Sequence, residues 1–493
     1  MTEQTTLPDR SPAAASGALS PRDRSVITLL LVSAFVVILN ETVMGVAMPN
    51  LMADFRIEAH VGQWLTTAFL LTMAVIIPIT GFLIQRVTTR VLFGAAMTLF
   101  SIGTLAAALA PTFEVLLVGR VVQASGTAVM MPLLMTTVMT LVSPASRGRM
   151  MGNISIVISV APAVGPTVSG VILEVLNWRF IFWLVLPIAV ASLVLGLSRM
   201  KNVGEHTDAR IDPVSVVLSV FGFGGIVYGL SSLGEGASGT PVVPVWVPFV
   251  VGVLGLALFI TRQLVLQRTD RALLDLRTFR SSTFAVTVVL MAAMMMALFG
   301  TIILIPIYLQ TVLGLQPVEA GLLLLPGGLL MGLGAPFVGR AYDRLGARPL
   351  LVPGTIIVAV ALWALALLAT ESTPVWTILA VHVLLSVGLS LTFTPLFTAG
   401  LGAVQPRLYS HGSAIIGTTQ QLAGAAGTTL FVSVMTVGTT SLLASGATEV
   451  QATAGGVHTA FFYGAAISTL AIIAAFFVRP SPQSADAPAV AHH

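Results

Sequence analysis

The sequence predicts an all-α integral membrane protein with fourteen transmembrane helices. Apolar residues make up 56% of its 493 residues and charged residues only 9%, and the mean hydropathy is +0.98. Most of the 23 Lys and Arg residues lie in every second gap between long apolar runs. A water-soluble core with a polar coat does not have this composition. The chain is therefore expected to fold inside a lipid bilayer.

Each predicted span is an apolar run bounded by polar or charged gaps, and about 20 apolar residues are enough to cross a bilayer. The fourteen runs lie near 25–49, 61–84, 90–110, 113–138, 146–173, 179–199, 211–233, 244–267, 281–312, 316–340, 347–369, 374–399, 410–439 and 456–478. The Arg-rich stretch 262–280 and the polar stretch 200–210 enclose only two of them. This spacing predicts two six-helix bundles in a pseudo-twofold relation, separated by a two-helix insert.

The predicted domains follow from this spacing and from the polar chain ends, whose composition is typical of disorder. They are a disordered tail over 1–24, an N-terminal bundle over 25–199, an insert with its linkers over 200–280, a C-terminal bundle over 281–478 and a disordered tail over 479–493. Arginines in the odd-numbered gaps and acids in the even-numbered gaps predict that both termini are cytoplasmic. We therefore expect a multi-pass protein of the inner membrane.

Composition also excludes several classes of function. The basic residues are scattered through topogenic loops, so the expected partner is the anionic inner leaflet of the lipid bilayer and not a nucleic acid. The chain contains no cysteine, which excludes disulfides, thiol catalysis and cysteine metal sites. We find no phosphate loop, metal cluster or nucleophile motif. No enzyme activity, cofactor or metal is predicted.

Four short motifs carry a family resemblance. The loop after the second span, Gly81 to Arg90, has a counterpart after the second span of the later bundle, Gly339 to Arg348. The other three motifs are Val118 to Gly126 in the fourth span, Ala161 to Gly170 in the fifth, and Leu39 to Pro49 in the first. In this order and spacing they resemble the major facilitator superfamily, in particular its fourteen-helix drug:proton antiporter branch and the lincomycin-resistance type exporters.

The resemblance implies a monomeric secondary transporter that exports small-molecule drugs in exchange for protons, and it implies a role for each motif. The loop motifs form a cytoplasmic gate, whose residues here are Gly81, Arg86, Arg90, Gly339, Asp343, Arg344, Gly346 and Arg348. Gln85 stands where the family usually has Asp, so the first loop lacks the carboxylate of the family's gating ion pair. The fifth-helix antiporter motif contributes Pro162, Gly165, Pro166 and Gly170, with Ser169 in place of one glycine. Two prolines and two glycines there predict a bent, closely packed helix.

Glu41 is the residue most suited to carry a proton. A carboxylate at this depth costs roughly 2.5–3.5 kcal/mol, which protonation would relieve. Arg120 is the other charge well inside a span of the N-terminal bundle and always stays protonated, so we expect it to bias a nearby carboxylate. The alternative is a fixed structural pair between Glu41 and Arg120. The family usually has its carboxylate at Asn40, about 100° of helix rotation from Glu41.

Met, aromatic and amide side chains predict a yielding substrate cavity for lipophilic, cationic or neutral compounds. The candidates are Asn40, Met44, Trp64, Gln123, Asn153, Tyr308, Gln310, Phe393, Gln420 and Gln421. Packing against helices or lipid is the alternative for each of them. The same fold would also suit a dedicated exporter of one endogenous metabolite, peptide or lipid, or an uncoupled membrane carrier.

Overall fold

The computed structural model describes residues 20–200, 202–203, 211–235, 244 and 246–479. The predicted tails therefore lie almost entirely outside the described residues. In the part that is described there are helices and turns and no strand. Fourteen helical segments are long and apolar enough to cross a membrane, which confirms the predicted number of spans.

Fifteen α-helices build these spans. In chain order they are α1 Pro21–Phe55, α2 Ala59–Arg86, α3 Thr89–Ala108, α4 Phe113–Leu141, α5 Arg147–Val175, α6 Arg179–Arg199, α7 Pro213–Ser219, α8 Gly225–Glu235, α9 Trp246–Leu266, α10 Ser282–Ile307, α11 Pro317–Leu345, α12 Arg348–Leu368, α13 Val375–Gly402, α14 Tyr409–Ala444 and α15 Glu449–Ala475. A π-helical turn joins α7 and α8 into one span, and a second π turn, Tyr308–Val312, ends α10.

Two helices begin earlier than their apolar runs, because polar caps extend them beyond the apolar core. Helix α1 begins at Pro21, where the Ser20 side chain accepts a hydrogen bond from the Asp23 N–H. Helix α15 begins at Glu449 behind a capping box formed by Thr448 and Gln451. Such caps satisfy backbone groups that a helix terminus leaves free. The predicted starts at 25 and 456 were therefore too late.

An early group of helices and a late group make contacts within each group and also with one another. Helices α1 to α6 pack on one another through pairs such as α3–α4 and α1–α5, and α10 to α15 do so through pairs such as α10–α14 and α12–α15. The two groups meet where α5 contacts α11 and where α2 contacts α14.

We call the membrane face at which α1 begins and α15 ends the terminal face, and the other the opposite face.

The insert, α7 to α9, is a helical hairpin that packs where α2 contacts α14. A Cβ on Gly252 of α9 would lie 2.4 Å from the backbone N of Ile226 of α8, so glycines allow the two helices to touch. At the terminal face Arg262 donates to both carboxylate oxygens of Asp212, over 2.6 and 2.7 Å. The hairpin also contacts α2 and α14: Tyr228 stacks on Trp64, and Thr429 donates to the Leu230 carbonyl.

Candidate functional site

Helices α3 and α4 pack closely against each other at the candidate site. A Cβ on Gly103 would lie 2.5 Å from the backbone N of Gln123, and one on Gly126 would lie 2.2 Å from the Ala96 carbonyl oxygen. Small residues let membrane helices approach this closely. As a result, Thr104 of α3 lies beside Gln123 of α4, and Gln123 Nε2 donates to Thr104 Oγ1 over 2.7 Å.

Arg120 is fully buried and held on two sides. Its Nη1 donates to Gln123 Oε1 over 2.6 Å, and its guanidinium lies 4.1 Å from the ring centroid of Phe69 on α2. Its exposed fraction is 1%, and that of Gln123 is 0%. Hydrogen bonds and a cation–π contact thus compensate a charge that would be costly if left alone in the bilayer. Gln123, predicted to line the substrate cavity, is buried and accepts a hydrogen bond from Arg120.

Glu41 lies on α1 and interacts electrostatically with Arg120. Among the described residues the two form no ion pair within 4.0 Å. Their charges therefore interact without a direct contact between the two side chains. The neighbouring Asn40 is completely buried, and neither atom of its amide has a hydrogen-bond partner among those residues. The acidic, basic and amide groups of this site therefore come from helices α1 and α4, as the sequence predicted for Glu41 and Arg120.

The antiporter motif packs on the same stretch of α1. A Cβ on Gly165 of α5 would lie 2.2 Å from Thr42 Oγ1, so this position accommodates only a hydrogen atom. Ser169, which replaces a family glycine, donates to the Val43 carbonyl over 3.1 Å. Helix α5 continues through Pro162 and Pro166, and Gly170 faces open space. Tight packing at Gly165 thus fits the prediction, while Gly170 shows none.

The second loop motif lies at a contact between the two helix groups. The backbone N–H groups of Gly148 and Arg149, at the start of α5, donate to the carboxylate of Asp343 on α11 over 2.7 and 2.9 Å. A Cβ on Gly339 would lie 2.2 Å from the Gly148 carbonyl oxygen. Gly346 ends α11 with φ +80°, a conformation that favours glycine. Asp343, Gly339 and Gly346 thus have clear structural roles.

The first loop motif makes a weaker contact. Gly81 packs against Ala414 of α14, and Gln85 Nε2 donates to the Arg407 carbonyl over 2.7 Å. An amide donor thus stands where the family usually has a carboxylate acceptor, and no ion pair is needed. The remaining motif arginines lie at the terminal face. The backbone N–H of Arg90 donates to Asn202 Oδ1, and Arg348 lies over the Phe476 ring. Arg344 is exposed, and Arg86 is the last residue of α2.

Two hydroxyl pairs join the helix groups between these contacts and the middle of the membrane. Ser155 Oγ of α5 lies 2.9 Å from Thr394 Oγ1 of α13. Thr136 Oγ1 of α4 lies 2.7 Å from Ser413 Oγ of α14. Together with Asp343 and Gln85, they connect the terminal-face halves of the two groups.

The predicted cavity residues do not share one environment. Met44 belongs to an apolar cluster with Val43, Leu65 and Phe182, and Phe393 lies in the core. Tyr308 is buried and donates to the Thr370 carbonyl over 2.5 Å. Trp64 and Gln310 are exposed, whereas Asn153, Gln420 and Gln421 are partly buried. Gln421 Nε2 is buried without a partner among the described residues.

Sequence reasoning missed several residues at these contacts. Phe69 and Thr104 support Arg120, while Ser155, Thr394, Thr136 and Ser413 join the helix groups. Single hydroxyls and phenylalanines in apolar helices carry no pattern that sets them apart from core residues. His382 of α13 lies beside α11, with its Nε2 3.2 Å from the Leu324 carbonyl oxygen.

Fourteen spans and a buried Arg site between helices define a polytopic membrane protein of the transporter class. The family model of the Major Facilitator Superfamily matches residues 30–428. The chain belongs to the Major Facilitator Superfamily, and it is a transporter and not an enzyme.

Relatives support this placement along nearly the whole chain. The lincomycin resistance protein LmrB of Listeria monocytogenes is 40% identical over 470 residues, covering 94% of this chain and 98% of its own. LmrB of Bacillus subtilis is 41% identical over 456 residues, covering 91% and 94%. The multidrug resistance protein B homolog of Mycobacterium tuberculosis is 29% identical over 397 residues, covering 80% and 73%.

Solved structures show the same fold at low identity. The human organic anion transporter MFSD10 matches with a TM-score of 0.65 and 14% identity, covering 92% of this chain and 100% of its own. The proton:xylose symporter XylE matches with a TM-score of 0.64 and 14% identity, covering 94% and 97%. At such identities the likeness concerns the fold alone.

Proposed function

We propose that this protein is a proton-coupled multidrug antiporter, which exports lipophilic cationic or neutral compounds. The observation that carries the proposal is the arrangement of Glu41 beside a buried Arg120 without a direct ion pair. A carboxyl group in such a place can bind a proton in one conformation and release it in another, because a nearby positive charge and burial act in opposite directions. Arg120, fixed by Gln123 and Phe69, is the stationary partner.

The relatives support the drug part of the proposal. Two of them are named for lincomycin resistance and a third for multidrug resistance. Lincomycin resistance by a membrane transporter is consistent with export of the compound, and Met, aromatic and amide side chains are suited to varied apolar ligands. We extend both inferences to this chain because LmrB matches it at 40–41% identity over more than nine-tenths of its length.

The contacts at the terminal face support alternating access between two bundles. We propose that 25–199 and 281–478 are the moving bodies and that the terminal face is cytoplasmic, as the arginine distribution predicts. Asp343, Gln85 and the two hydroxyl pairs then close the cytoplasmic side in this conformation. Rocking of the bundles about a midplane site would break these contacts and open that side.

Proton entry supplies sufficient energy for export. One charge moving down about 100 mV releases about 2.3 kcal/mol, before any pH gradient. For a neutral drug that free energy corresponds to a concentration ratio of nearly 50, since about 1.4 kcal/mol is a factor of ten. Export of a monovalent cation against the same potential costs the same free energy, so a second proton or a pH gradient must then drive it.

The test is proton flux in liposomes that contain the purified protein and a pH-sensitive dye, with an imposed pH gradient. Addition of lincomycin or of a lipophilic cation such as ethidium should evoke proton movement in the wild type. Glu41→Gln, which cannot titrate, should abolish the movement. Glu174→Gln is the matched control, because Glu174 is an exposed carboxylate near the end of α5. It should behave like the wild type.

The outcomes separate the competing mechanisms. Flux that persists in Glu41→Gln would remove Glu41 from the coupling mechanism. A wild type that moves the drug without protons would be an uncoupled carrier. A wild type that responds to neither drug would contradict multidrug transport and favour a dedicated exporter of one endogenous compound.

A further inference from the structure

The end of α11 at the terminal face carries an open groove that the transport mechanism does not use. The groove has a volume of about 620 Å³ and is lined by Phe337, Arg340, Ala341, Arg344 and Leu345. Counted from Phe337, the other four lie three, four, seven and eight residues further on, so all five share a single face of the helix. The groove therefore lies on one face of α11, at the terminal face of the membrane.

This face points away from the rest of the protein. On the other side of α11, Gly339 and Asp343 contact the start of α5. Phe337 and Leu345 are 67% and 60% exposed. Because this face lies on the side of α11 away from its contact with α5, we expect these apolar side chains to contact lipid.

Both arginines of the groove are exposed and have no acidic partner in the described chain. Arg340 lies over the Phe337 ring, with its guanidinium carbon 4.5 Å from the centroid. Asp343, the acid nearest in sequence, accepts hydrogen bonds from α5 instead. Two uncompensated guanidinium groups one helical turn apart offer a paired set of donors, which matches the oxygens of a phosphate group.

An apolar track leads from the arginines toward the middle of the membrane. Leu330, Leu333 and Phe337 are exposed and lie on the same side of α11. The ten residue steps from Leu330 to Arg340 rise about 15 Å along the helix. This is half of the roughly 30 Å hydrocarbon core, and thus the depth of a single leaflet. A headgroup at the arginines would therefore place its acyl chain along this track.

We propose that this groove binds one anionic phospholipid, with its phosphate on Arg340 and Arg344 and an acyl chain along Leu333 and Phe337. A lipid with a net negative charge is favoured over a zwitterionic one, because the amine of a zwitterionic headgroup already neutralises its phosphate. Basic surfaces at membrane faces attract anionic lipids by this mechanism. The proposal is independent of proton coupling and of the drug transported.

The test is native mass spectrometry of the full-length protein in detergent, titrated with phosphatidylglycerol or with phosphatidylethanolamine of the same acyl chains. The wild type should retain phosphatidylglycerol preferentially. The variant R340Q/R344Q should lose roughly 30-fold in affinity for phosphatidylglycerol, at about fivefold per arginine. R268Q/R271Q is the matched control, because it removes two exposed arginines from the same membrane face outside the groove. It should retain the lipid as the wild type does.

Two further measurements separate a lipid site from a general charge effect. F337A keeps both arginines but shortens the apolar track, so it should weaken lipid retention without changing the preference for the anionic headgroup. Excess inorganic phosphate should leave the lipid adduct in place; displacement would indicate a free-anion site and overturn the proposal. Equal retention of both lipids by the wild type, or equal losses in R340Q/R344Q and R268Q/R271Q, would also overturn it.

Discussion

Asp343 on α11 accepts a 2.7 Å hydrogen bond from the backbone N–H of Gly148 on α5. The bond joins the two helix groups and satisfies a backbone donor at the start of a helix, where the helix dipole also favours negative charge. The neighbouring Arg149 N–H binds the other carboxylate oxygen. Asp343 therefore acts as a helix cap supplied by the opposing group, so the cap exists only while the terminal face is closed.

The first prediction concerns this cap. Loss of an N-terminal cap costs about 0.5–2 kcal/mol, so Asp343→Ala should raise the population open at the terminal face by roughly 2- to 30-fold. The chain has no cysteine, and a single cysteine at Ser155 can therefore report opening through its rate of labelling by a thiol reagent. Asp23→Ala, which removes an acid of the same face on α1, should leave the rate unchanged. Equal rates in Asp343→Ala and the wild type would contradict this role.

A second prediction concerns the close contact between α5 and α11. A Cβ at position 339 would lie 2.2 Å from the Gly148 carbonyl oxygen, a backbone atom that cannot move aside cheaply. Gly339→Ala should therefore hold the terminal face open and reduce transport. Gly321→Ala on the same helix is the control, because nothing lies within 4 Å of its Cβ position. The two variants should differ clearly in transport rate; similar rates would show that the contact is dispensable.

A third prediction uses the hydroxyl pairs. Ser155→Cys with Thr394→Cys, or Thr136→Cys with Ser413→Cys, places two thiols where oxygens lie 2.9 or 2.7 Å apart. Such geometry permits disulfide formation without large backbone movement. Oxidation should stop transport by locking the terminal face, and dithiothreitol should restore it. The four single-cysteine variants serve as controls. Unchanged transport by a fully cross-linked protein would rule out separation of the groups at these points.

A fourth prediction tests the support of Arg120. Gln123→Leu removes its hydrogen-bond acceptor, and a hydrogen bond to a charged group contributes about 1.5–3 kcal/mol. The variant should unfold at lower temperature and lose drug-evoked proton flux. Thr104→Val should have a smaller effect, because it acts only through Gln123, and Thr104→Ser should match the wild type because it keeps the hydroxyl. A Gln123→Leu variant with normal flux would show that Arg120 needs no fixed orientation.

A fifth prediction concerns the ion pair that fixes the insert. Hydrogen bonds from the Arg262 guanidinium hold the pKa of Asp212 well below its usual range, against a smaller opposing effect of burial. A lowered pKa stabilises the fold fully above the unfolded-state value of about 3.9, and this stabilisation declines as the pH falls from there toward the lowered pKa of the folded state. Asp212→Asn should therefore lower the melting temperature by less at pH 2 than at pH 7.

Thermal unfolding followed by tryptophan fluorescence would check the fifth prediction across this pH range. Glu174→Gln controls for the loss of an exposed carboxylate. A destabilisation of Asp212→Asn that stays constant down to pH 2 would mean that the charge of Asp212 does not contribute, and that packing alone holds the hairpin.

The number of spans and the depth of Glu41 and Arg120 could be predicted from the sequence. Both depend on the bilayer, which acts as a solvent of known thickness on each segment separately. A run of apolar residues therefore forms a span irrespective of its neighbours. The depth of a charge within it follows from the number of residues between that charge and the end of the run. The helix ends at Pro21 and Glu449 were missed because they depend on polar caps outside the apolar runs.

The direction in which each helix face points depended on tertiary packing. In spans that are apolar all round, no polar stripe shows which side faces a neighbouring helix, so the burial of Met44 and Gln123 could not be predicted. Glycine contacts such as Gly103 with α4 and Gly165 with α1 determine the rotation of the helices. Through that rotation Asp343 reaches α5 while Arg344, its neighbour in the same motif, faces the lipid groove. A close approach of two backbones depends on the surfaces of both helices together. The hydropathy of each segment taken alone therefore does not predict it.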